Sequence, residues 1–152
     1  MGVKIKGLTE FISELEKADK NTPETMKKVV EAGMQHVTDS LRSVISSLPT
    51  EPAKYVPEGK KRKISPEEKA GLLKAMGYTP VRINGTKYDS NAGVQGYNSV
   101  KTEKFSTGIP NKMLLDAVDS GSSFREKQPI FSKVKRASQE KAIKAMEEAI
   151  EI

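Results

Sequence analysis

The side chains able to do chemistry in this chain are few, and their spacing does not suit a reaction. It has one histidine, His36, and no cysteine in 152 residues, so thiolate nucleophiles, disulfides and cysteine-ligated zinc are excluded. His36 lies on a helical pattern roughly opposite the Met34 and Val37 stripe, which predicts an exposed side chain. No carboxylate stands at ligand spacing to make it a metal ligand or a general base. Asp116 and Asp119 are three apart and could pair as acid and base, but Asp119 falls near a helix end, where a turn role is expected. Ser120, Ser122 and Ser123 have no base in view, and no glycine-rich loop follows a strand at phosphate-cradling spacing. The residues predict no enzyme, no cofactor and no metal.

What is left is charge, with 26 Lys and Arg against 20 Asp and Glu and a net +6. Lys60, Lys61, Arg62 and Lys63 form a basic run in a stretch broken by Pro49, Pro52, Pro57 and Gly59, which reads as a loop. The run is either a solvated loop or the phosphate contact of a basic accessory nucleic-acid-binding protein. No zinc-finger spacing, aromatic stacking platform or recognition-helix pair accompanies it, so sequence-specific readout lacks a candidate element. The last helical pattern carries Lys133, Lys135 and Arg136 near its start and Glu147, Glu148 and Glu151 near its end. That order opposes the helix dipole, at a few tenths to about 1 kcal/mol per exposed terminal charge, partly offset by the well-oriented pair Glu140 and Lys144. Two readings follow: a solvated face, or a head-to-tail contact in which one copy's basic end meets the next copy's acidic end and the ring closes by rotation. In the second, Lys133, Arg136, Glu147 and Glu148 are the assembly contacts.

The elements that would carry these charges can be read from periodicity. A chain this long suits one domain that buries roughly two thirds of its unfolded surface. Four Tyr, four Phe and no Trp leave the core to Leu, Ile, Val, Met and Ala, which favours helices. No apolar run approaches a membrane span, and the charged opening MGVKIKG is unlike a secretory signal, so a soluble intracellular protein is expected. Lys6 also breaks the myristoylation pattern. A β-prone piece spans Val3 to Lys6, and Leu8, Phe11, Ile12 and Leu15 mark one face of a helix. Thr22 can cap a second helix, with Pro23 at its first position. Met26, Val30, Met34, Val37, Leu41, Val44, Ile45 and Leu48 continue its stripe for about 39 Å at 1.5 Å per residue.

Beyond the loop, Ser65 with Glu68 three residues on is a capping box opening a short helix through Leu72, Leu73 and Met76 to Gly77. Val81 and Ile83 alternate into the turn pair Asn84 and Gly85, predicting a hairpin that returns over Thr86 to Tyr88. A further strand is expected near Val94 to Tyr97, and residues 98–108 look loose. In GIPNKMLLDAVDSGSSFREKQPIF, Pro110 and Pro129 each suit a first helical position. Gly121 supplies the left-handed residue ending the helix between them. The closing helix should bury Phe131, Val134, Ala142, Ala145, Met146 and Ala149. The expected fold is α+β, a small antiparallel sheet packed against two long helices, about 22–48 and 129–151, plus shorter helices.

Several of these residues together resemble the tailed-phage minor tail or head–tail joining family of the tail-completion type, encoded by phages and prophages. The resemblance is carried by Lys4, Ile5, Lys6, Gly7 and Leu8 before a long second helix, and by the Gly96–Tyr97 step. It continues through Asp119, Ser120, Gly121, Ser122 and Ser123, then Gln128, Pro129, Ile130 and Phe131. It runs nearly end to end through short motifs. Many relatives have a Thr-Gly-Arg-Leu-like start to the sheet after the long helix; here the prolines, basic run and capped helix make 49–77 read as an insertion in a single domain over 1–152. The resemblance implies a non-enzymatic structural protein of the virion, present in the host bacterial cytoplasm during assembly. It would form a homo-oligomeric ring against phage connector or tail-tube proteins, with DNA passing through the channel close to Lys60–Lys63, and no membrane.

Overall fold

A computed structural model describes residues 23–52, 59–85 and 87–150. The strand expected over Val3–Lys6 and the helix expected from Leu8 to Leu15 lie outside them. In order, the described elements are α1 (Pro23–Ser46), α2 (Pro66–Lys74), β1 (Met76–Tyr78), β2 (Arg82–Asn84), β3 (Lys87–Asp89), β4 (Ala92–Val94), α3 (Asn111–Ser120) and α4 (Phe131–Ile150). The fold is α+β, as expected.

The core is built on the pairing of α1 with α4, the most extensive contact between elements. The stripe on α1 is buried from Met26 through Val30, Met34, Val37, Leu41 and Ile45 to Leu48, and Val29 joins it. Each such side chain contributes roughly 1.5–3 kcal/mol on leaving water. From α4 come Val134, Ala142 and Met146, with Phe131 and Ala149 packed at the margin. A helix this polar can pack closely because its partner offers bare backbone: a Cβ on Gly33 would lie 2.8 Å from Met146 Sδ and 2.9 Å from its Cγ. Ser138, unforeseen in the core, is buried with its hydroxyl donating to the Val134 carbonyl at 2.7 Å, which satisfies it within its own helix.

The strands form two separate two-stranded antiparallel ladders. One pairs Met76 with Val94, Gly77 with Gly93 and Tyr78 with Ala92. Within its span sits the hairpin, pairing Arg82 with Asp89, Ile83 with Tyr88 and Asn84 with Lys87. The hairpin meets expectation, but its turn is shifted: Asn84 is the last paired residue of β2, and Gly85 takes the positive φ of 64°. The short helix stops at Lys74, before the expected Gly77, because Met76–Tyr78 leaves it to pair with β4. The ladders pack chiefly on α1, and β4 also reaches α3.

The two prolines stand outside their helices. Pro110 is the N-cap of α3, and Pro129 precedes the first residue of α4 by two. Asp119 explains the later start of α4: its Oδ1 accepts from Ile130 N at 2.7 Å and Phe131 N at 3.1 Å. A carboxylate at the end of α3 thus caps the start of α4, favoured by the dipole there. Gly121 ends α3 with positive φ, as expected, but with φ 78° and ψ 168° it is extended rather than left-handed helical, a region open essentially to glycine. A Cβ there would also crowd Lys127 at 3.1–3.2 Å.

Candidate functional site

The described polar groups converge where residues 60–68 meet residues 122–128. Ser65 and Glu68 form the expected capping box of α2, with Glu68 N donating to Ser65 Oγ at 3.2 Å and Ser65 N to Glu68 Oε1 at 3.0 Å. The Glu68 side chain is also fully buried and ion-paired. Arg125 donates to it through Nη2 at 2.5 Å and Nη1 at 3.3 Å, and Arg62 through Nη1 at 2.9 Å. Burial alone would raise the Glu68 carboxyl. The hydrogen bonds from Arg125, Arg62 and Ser65 N, with the Arg125 charge, outweigh it and lower the pKa from 4.5 to about 2. Arg125 is itself only 5% exposed, so two cations share one buried anion.

The backbone holds these side chains in register. Arg62 N donates to the Phe124 carbonyl at 3.0 Å and Glu126 N to the Arg62 carbonyl at 2.9 Å, a one-residue parallel bridge between Arg62 and Arg125. Gln128 fastens the adjoining chain: its Oε1 accepts from Ile64 N at 3.0 Å and its Nε2 donates to the Pro49 carbonyl at 2.9 Å. On the other side of α2, buried Asn98 donates to the Glu68 carbonyl at 3.0 Å and to Asn111 Oδ1 at 3.1 Å. Asn111 donates to the Gln95 carbonyl at 2.9 Å. The segment that reads as an insertion therefore supplies Ile64, Glu68 and Leu72 to the interior.

The basic run divides into two pairs. Arg62 is bound to Glu68, and Lys63 lies 3.5 Å from Glu51 and 3.6 Å from Glu126. Lys60 and Lys61 are exposed with no ion pair among the described residues. Lys133, Arg136, Glu147 and Glu148 are likewise exposed on α4, with no described ion partner. His36 is half-buried rather than exposed. Asp116 and Asp119 are not brought together as a working pair, since the Asp119 carboxylate is engaged at α4, while Asp116 Oδ1 has no hydrogen-bond partner among the described residues.

Searches against protein-family models, curated proteins and solved structures find no match.

Among the described residues no group of three or more His, Asp or Glu could hold a metal, and no helix is long and apolar enough to cross a membrane. An open groove of about 470 Å³ runs over β1 and β4, with Lys112 at its edge. A second, of about 590 Å³, lies between α2 and Tyr97. The residues that organise the polar centre, Arg125, Asn98, Asn111 and Gln128, carry no local periodicity. The capping box, which picks out Glu68, is the one local signal that bears on how these groups are joined.

Proposed function

We propose that this protein is a structural, ring-forming subunit of the head–tail joining or tail-completion region of a phage or prophage, working through surfaces offered to its own copies and to connector or tail-tube proteins. The observation that carries the reading is the charge on α4. Its basic and acidic ends, Lys133 with Arg136 and Glu147 with Glu148, are exposed with no ion partner among the described residues, and they stand toward opposite ends of a rod about 30 Å long at 1.5 Å per residue. Both ends are placed against the dipole, an arrangement that weakens an isolated helix but suits a contact in which each end faces the opposite charge on a neighbour. The second support is the motif resemblance that runs through Gly96–Tyr97, Asp119–Ser123 and Gln128–Phe131. The third is the use of the buried ion cluster, whose members are turned on one another and hold the scaffold together.

Solution mass at rising protein concentration, with and without purified tail tubes, tests it. The chain should gain mass on the tubes, and Glu147→Lys with Glu148→Lys should abolish the gain. Adding Lys133→Glu and Arg136→Glu to that variant should restore it. Unchanged assembly in the acidic-end variant, or a monomer under every condition, would remove the proposal.

A further inference from the structure

The bridge between Arg62 and Arg125 creates a surface that neither segment has alone. In extended chain, successive side chains point to opposite faces. Arg62 and Arg125 both reach Glu68 and so share the inner face. Their neighbours must share the outer one, and the ion pair of Lys63 with Glu126 shows that they do. The bond from Arg62 N to the Phe124 carbonyl sets the backbone of Lys61 beside that of Phe124, at the strand spacing of about 4.8 Å, and Lys60 lies between this bridge and the turn at Gly59. Phe124 is 50% exposed. The Arg125 guanidinium carbon lies 5.4 Å from its ring centroid, so the ring is backed by a cation that is itself locked in place. Lys60 and Lys61 are exposed with no described ion partner, whereas Lys63 is neutralised by Glu51 and Glu126.

We propose that Lys60, Lys61 and Phe124 form a contact site for single-stranded nucleic acid, the lysines taking backbone phosphates and the Phe124 ring stacking on an unpaired base. The aromatic platform missing from the basic run in sequence is supplied from about sixty residues away by the fold. A ring backed by Arg125, beside two exposed lysines with no described ion partner, is the combination used for sequence-tolerant binding of single strands. A duplex hides its base faces and would leave the ring unused. An acidic peptide would satisfy the lysines and also leave it unused. The site is complete in one chain and does not rest on ring assembly.

The chain contains no tryptophan, so Phe124→Trp introduces a single reporter at the site. Its emission should be quenched saturably by an oligothymidine at low salt, and binding should weaken as salt rises, with a slope near −0.7 per phosphate contacted. Lys60→Ala with Lys61→Ala in that background should lower affinity about tenfold or more and remove most of the slope. In anisotropy with a labelled oligothymidine, Phe124→Ala should weaken binding by roughly 5- to 150-fold while leaving the slope unchanged. Lys133→Ala with Arg136→Ala, the same change in net charge elsewhere, should have no effect. All the substituted side chains are exposed, and circular dichroism checks that each variant is folded. Absent quenching, equal quenching by duplex DNA or polyglutamate, or equal loss in the α4 control would overturn the site.

Discussion

Replacing Glu68 by Gln tests the buried ion cluster with little change in shape. Glutamine still serves at the third position of a capping box, so the acceptor for Ser65 N is kept and only the charge is lost. A carboxyl held at about 2 instead of 4.5 represents about 3 kcal/mol in favour of the ionised form. Removing it leaves Arg125, 5% exposed, and Arg62, 15% exposed, without their anion. Stranding buried charge in this way costs about 3–5 kcal/mol, which would be a large share of a small domain's stability. The folded pKa is below the unfolded one, so the stabilisation is present above pH 4.5 and is lost as pH falls from there toward 2. At pH 3 the loss from this group is about 2 kcal/mol. Urea unfolding of both proteins at pH 7 and pH 3 measures each quantity. Glu68→Gln should be about 3–5 kcal/mol less stable at pH 7, and the gap should narrow by about 2 kcal/mol at pH 3. Adding Arg125→Met to Glu68→Gln should recover part of the loss, a non-additivity expected of groups in direct contact. A gap below about 1 kcal/mol at pH 7, or one that does not narrow in acid, would refute the account.

Three further substitutions probe the frame. Gly33→Leu should force α1 and α4 apart at Met146 and cost about 1–3 kcal/mol in chemical denaturation; a neutral result would mean the helices are not in close contact there. Asp119→Ala removes the acceptor for Ile130 N and Phe131 N and should cost about 0.5–2 kcal/mol, with Asp119→Asn recovering most of it. Equal melting temperatures for Asp119→Ala and wild type would show that the cap contributes nothing. Gly121→Ala meets both a positive φ and the Lys127 backbone, and thermal unfolding should show a loss of about 1–3 kcal/mol; no change would mean the turn relaxes freely.

The helices were legible because their signals are local. The stripe of α1 repeats at three and four residues, and Ser65 with Glu68 marks the start of α2 within four positions. What could not be read depends on distant partners. Met76 extends the apolar pattern of α2, and only its pairing with Val94 draws it into β1. Pro129 fits a first helical position by its own geometry, but the Asp119 carboxylate, eleven residues earlier in contact with Ile130, sets the start of α4. Glu68 read only as one half of a capping box, since nothing near it announces Arg125. Lys61 and Phe124 gave no joint signal because their adjacency rests on a single backbone bridge. The basic run likewise read as four equivalent cations until Glu51, Glu68 and Glu126 were seen to engage two of them.

The pairing of α1 with α4 also bears on synthesis. The first and last described helices must find one another across almost the entire chain, so α1 leaves the ribosome with its stripe of Val, Leu, Ile and Met side chains uncovered. At roughly 5–20 residues per second, the wait for α4 lasts on the order of ten seconds. Nascent chains crowded on one message would therefore be at their most adhesive until α4 emerges.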